Sequence, residues 1–65
     1  MDLQSKTIPI LYDGDSYEVI INGLGEIQEI WRYRGNQTIR PEFCRLEWLD
    51  KTLQHQIYDR VVRYL

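Results

Sequence analysis

Cys44, Asp50 and His55 supply the residue types of a thiol nucleophile, an orienting acid and a general base within a chain of 65 residues. Their spacing argues against that chemistry. On one continuous helix Cys44 and His55 share a face but stand about 16 Å apart along the axis, whereas a nucleophile and its base need about 3 Å. The expectation is a small core thiol and a surface imidazole. Asp13, Asp15 and Glu18 open like a calcium loop, yet Glu18 stands where the sharp turn needs glycine and Leu24 where the loop closes on glutamate. This is an acidic turn. Gly23-Leu24-Gly25 is too short to cradle a phosphate, and one cysteine with one histidine makes no zinc set. Glu26, Glu29, Glu42 and Glu47 could pair as acid and base, but nothing in the sequence joins any two. So small a body scarcely encloses a usual substrate pocket. The chain is therefore expected to be no enzyme, with no catalytic residue, cofactor or metal.

Two surfaces remain. Trp31, Arg32, Tyr33, Arg34, Arg40 and Arg45 form a basic stretch interleaved with aromatics. On a sheet such residues stack bases and contact phosphates, which makes Arg32, Arg34, Arg40 and Arg45 candidate nucleic-acid contacts. Alternation along a strand, however, sets Trp31 and Tyr33 opposite Arg32 and Arg34, and a pI near 5.2 gives no global attraction. The other surface is the back of a C-terminal helix. Tyr58 and Val62 project roughly opposite its core stripe, Leu65 lies at the margin, and Trp48 joins them if the helix extends upstream. A helix covering one sheet should be polar outside, so Trp48, Tyr58, Val62 and Leu65 are candidates for contact with a protein partner or a second copy.

These surfaces depend on elements that the apolar rhythm defines. Up to about Arg40 apolar residues recur every second position, and from about Asp50 they fall on one helical face. The pattern predicts an α+β fold: an antiparallel meander of three or four strands with one C-terminal amphipathic helix on one face. Strands are expected at about 7–12, 16–22 and 26–34, a short one near 37–40, and a helix at about 50–64, with residues 1–6 disordered. A two-residue turn at Gly14-Asp15 pairs Tyr12 with Tyr17, Ile10 with Val19 and Ile8 with Ile21. A turn at Asp13-Gly14 changes the partners and keeps the same six on one face. Pro9 lacks an N–H, which places the first strand at an edge. For the third strand, a bulge at Gly25 or a three- or five-residue loop puts Trp31 and Tyr33 on the face of Val19. That choice buries both rings and leaves Arg32 and Arg34 wet. Pro41–Leu49 reads as helix or as strand. A helix from Pro41 to Leu65 would run about 37 Å, against about 23 Å for seven-residue strands, so a break near Leu49 is expected, with Asp50 as N-cap. Leu49, Leu53, Ile57, Val61 and Tyr64 then form the helix's core stripe.

Size and charge set the remaining expectations. One domain of this length buries only about 60% of its unfolded surface, and a lone cysteine allows no internal disulfide. Association is the supplement still open, which favours a homodimer or another protein partner over nucleic acid. Residues 1–29 carry six acids against one base, and residues 30–65 carry seven bases against four acids. Such a split suits halves that face each other, or an interaction surface. The absence of an apolar run argues against a leader or a membrane span, and the single cysteine points to a reducing compartment. A soluble cytoplasmic protein is expected.

Overall fold

The computed structural model describes residues 4–35 and 40–65. Four strands, β1 (Lys6–Tyr12), β2 (Asp15–Ile21), β3 (Ile27–Tyr33) and β4 (Glu42–Cys44), pair in sequence order as an antiparallel meander. A 3-10 turn at Leu46–Trp48 leads to one helix, α1 (Lys51–Tyr64), which packs on one face of the sheet. The expected α+β fold is the one found. β1 begins at Lys6, which pairs with Ile21. The strand expected near 37–40 falls mostly on 36–39, outside the described residues, as do residues 1–3.

The first hairpin turns at Asp13-Gly14, not Gly14-Asp15. Both residues have positive φ, 53° and 83°, the backbone of a type I′ turn, whose twist matches that of the flanking strands. The pairs are accordingly Ile10 with Tyr17 and Ile8 with Val19. The shift is even, so the same side chains face inward: Ile8, Ile10, Tyr17, Val19 and Ile21 are buried, and Tyr12 packs against them.

The third strand departs from expectation. Ile20 pairs with Glu29 but Ile21 pairs with Ile27, so Gln28 is an extra, bulged residue. The bulge lets Ile27 and Ile30, three residues apart, both face the core. Every later residue then takes the opposite parity. Arg32 lies across from Tyr17 on the inner face, while Trp31 lies across from Glu18 and Tyr33 across from Ser16 on the outer face. The expected burial of Trp31 and Tyr33 against Val19 is thus overturned. Two isoleucines brought inward by one bulge seal the core, and the rings go outside. Arg32 reaches the rim, its stem over the core and its head on Glu42.

Pro41–Leu49 is neither continuous helix nor continuous strand. Glu42–Cys44 pairs with β3, the 3-10 turn follows, and Leu49 is extended. Asp50 stands at the N-cap position of α1, but its side chain makes no cap bond. Its Oδ2 instead accepts the Tyr12 hydroxyl at 3.3 Å. Leu53, Ile57 and Val61 are buried and Leu49 packs beside them, whereas Tyr64 stays 41% exposed. Among the described residues ten buried side chains form the core, three from α1 and seven from the sheet.

Candidate interaction surfaces

Three contacts fix α1 on the sheet. Tyr12 at the end of β1 touches Asp50 at the helix start. Arg60 reaches the Pro9 carbonyl in mid-strand. The Leu65 side chain lies against Gly25 in the β2–β3 loop, close enough that a Cβ there would sit 2.9 Å from Leu65 Cδ1. The helix therefore runs antiparallel to β1, with its C-terminal end by that loop. The loop holds its own shape. Asn22 Oδ1 accepts the N–H groups of Leu24 and Glu26, and Asn22 Nδ2 donates to Glu26 Oε1.

This placement separates the candidate partner residues. Tyr58 and Val62, one helical turn apart, are 50% and 67% exposed, and Leu65 is 72% exposed. Leu24, also exposed, is carried to the same end by Gly25. Sequence reasoning missed Leu24, although a leucine between two turn glycines has little chance of reaching a core. Trp48, 66% exposed, lies before α1 at its other end, with the Arg45 guanidinium 5.9 Å from its ring centre. Along the helix axis Tyr58 stands about 10 Å from the start of α1 and Leu65 about 21 Å. Tyr58, Val62 and Leu65 belong together, and Trp48 does not belong with them.

The four candidate arginines do not form one array. Glu42 Oε1 accepts Arg32 Nε at 3.0 Å, Arg32 Nη2 at 2.8 Å and Arg34 Nε at 3.1 Å. The two guanidinium groups hold the Glu42 carboxyl below its usual range, and Glu42 in turn raises the Arg32 pKa. Arg45 lies over Trp48, and Arg40 is exposed before β4. Cys44 is buried across from Ile30, and burial pushes its thiol pKa up. His55 is exposed on α1. The described residues contain no group of three metal-ligating side chains, and no described helix is long and apolar enough to cross a membrane.

The outer face of the sheet is a surface that the sequence did not reveal. Alternation places Thr7, Pro9 and Leu11 of β1 and Ser16, Glu18 and Ile20 of β2 on it. Glu29, Trp31 and Tyr33 of β3 and Phe43 of β4 complete it. Trp31 and Phe43 meet edge to face, with ring centres 5.5 Å apart. Trp31 Nε1 donates to Glu29 Oε1 at 2.8 Å, and the Tyr33 hydroxyl donates to Glu18 Oε1 at 3.0 Å. The bond to Glu18, more than burial, raises the Tyr33 pKa. An open groove of about 750 Å³ borders this face, lined in part by Pro9, Leu11, Ser16, Glu18, Tyr33 and Arg60.

No protein-family model matches the chain, and neither a curated protein nor a solved structure is significantly similar to it.

Proposed function

We propose that this chain is a small, non-enzymatic, cytoplasmic interaction module that pairs with a second copy through the C-terminal half of α1. The observation that carries the reading is the exposure of Tyr58 and Val62, one turn apart on α1 and outside its buried stripe, with Leu65 exposed just past the helix end beside the β2–β3 loop. A two-fold axis brings one patch against itself, so a single apolar patch suffices for both partners. Size supports it too. Ten buried side chains and no disulfide leave a domain of this length with little margin, and burying two more apolar side chains per protomer adds to it.

Sedimentation velocity over a concentration series tests the pairing. A dimer is expected at micromolar concentration. Tyr58→Gln with Val62→Lys should yield a folded monomer, since neither residue is part of the core. A wild-type chain that stays monomeric at high micromolar concentration would overturn the reading.

A further inference from the structure

We propose that the uncovered face of the sheet docks a basic segment of a partner protein. A lysine or arginine side chain lies over Trp31 and Tyr33, and its charge meets Glu18 and Glu29.

The charge pattern selects this occupant. The ten outward strand positions hold two carboxylates and three aromatic rings, and none is lysine or arginine. Arg32 and Arg34 are held by Glu42 at the rim of the opposite face. Among the described residues, Arg60 and Arg45 share grooves with residues of this face and have contacts of their own: Arg60 donates to the Pro9 carbonyl, and Arg45 lies over the Trp48 ring. A phosphate backbone arriving here would meet glutamates, whereas a cation meets opposite charge and the electron-rich faces of aromatic rings.

Geometry supports the same assignment. Glu18 and Trp31 are directly opposed across β2 and β3, and Trp31 and Phe43 across β3 and β4. Acid and rings therefore form one contiguous row. Each carboxylate is aimed by a ring donor on Oε1, Tyr33 for Glu18 and Trp31 for Glu29. Oε2 of each makes no hydrogen bond among the described residues and can accept from an ammonium or guanidinium group. The acceptors are oriented before a ligand arrives, which lowers the ordering cost of binding. The groove that Glu18 and Tyr33 line together with Pro9 and Leu11 has room for the aliphatic stem of a long basic side chain.

Two tryptophans allow the test to carry its own control. The isotope-labelled protein is titrated with a short poly-lysine peptide, a poly-glutamate peptide and a single-stranded oligonucleotide while both indole N–H signals are followed by NMR. Poly-lysine is expected to move the Trp31 signal and the outward positions of β2 and β3, and to leave Trp48 in place. Glu18→Gln with Glu29→Gln keeps both acceptors for the ring donors, so the fold persists, and binding should weaken at least about tenfold. The Tyr58→Gln, Val62→Lys variant should bind poly-lysine unchanged, which separates this site from self-association. The proposal is overturned if Trp31 does not respond, if shifts centre on the acidic Asp13–Asp15 turn, or if the double glutamine variant binds equally well. A response of Trp31 to the oligonucleotide in place of poly-lysine would also overturn it.

Discussion

Arg60 Nη2 donates to the carbonyl of Pro9 at 3.1 Å, joining residues 51 positions apart. The two-residue turn closes on the hydrogen-bonded pair Tyr12–Asp15, and bonded and non-bonded pairs alternate from there. Pro9 thus falls at a position whose backbone groups point away from β2. It has no N–H to offer a new strand, and its carbonyl is covered by Arg60. Both bonding groups at the centre of this edge are closed, the protection that exposed edges require. Pro9→Thr with Arg60→Ala should reopen it. The expected result is faster growth of thioflavin-positive aggregates at unchanged secondary structure, with a stability loss of about 0.5–1 kcal/mol for the lost bond. Equal aggregation of variant and parent would show that this edge is harmless for another reason.

The edge and the first hairpin were legible because Pro9 and the alternation of Ile8, Ile10, Val19 and Ile21 speak directly to backbone bonding and parity. The helix was legible because Leu53, Ile57 and Val61 recur at helical spacing. The outer sheet face was not, because parity along β3 changes at Gln28. A strand read with strict period two cannot bury both Ile27 and Ile30, and burying the largest rings was the wrong way to settle that conflict. An i, i+3 pair of isoleucines within a strand is itself the mark of a bulge. β4 stayed undecided between helix and strand within Pro41–Leu49, because three residues after a proline carry no measurable period. The Tyr58, Val62 and Leu65 exposures follow from helical spacing, whereas the distance between them and Trp48 follows from the 3-10 turn, whose boundary no periodicity marks.

The bulge makes a sharp stability contrast between neighbours. Ile30 is 2% exposed among core side chains, so Ile30→Ala should cost about 2–5 kcal/mol. That is enough to unfold much of so small a domain. Trp31, on the open face, should tolerate Trp31→Phe at under about 1.5 kcal/mol. Urea unfolding of the two variants checks the order. A Trp31 substitution costlier than that of Ile30 would restore the register in which the rings are inside.

Glu42 and Tyr33 bound the pH range from opposite ends. The Glu42 carboxyl is held below its ordinary value, near 4.3, first by Arg32 and then by Arg34. Its contribution to stability is complete above that value and is lost as pH falls through the depressed folded one. Tyr33 is raised above its ordinary value near 10 by its bond to Glu18. Its contribution is complete below that value and is lost as pH rises through the raised folded one. Thermal unfolding across pH should show both limbs. Glu42→Gln should flatten the acid limb and leave the alkaline one, whereas Tyr33→Phe should weaken the alkaline limb, to which the raised Tyr12 and Cys44 also contribute, and leave the acid one.

Gly25 carries two constraints that one experiment can separate. Its φ of +82° disfavours any side chain, and an added Cβ would fall 2.9 Å from Leu65 Cδ1. The Leu65 contact is with the far end of a flexible, largely exposed side chain, which can move aside. Backbone strain should therefore dominate. Gly25→Ala is expected to cost about 1–2 kcal/mol, and adding Leu65→Ala should recover under about 0.5 kcal/mol of it. Gly25→Asn, which tolerates the left-handed region better, should be milder than Gly25→Ala despite its larger side chain. Chemical denaturation of the four proteins decides the matter. If Leu65→Ala restores full stability to Gly25→Ala, the loop glycine is there to seat the helix terminus, and the positive φ is incidental.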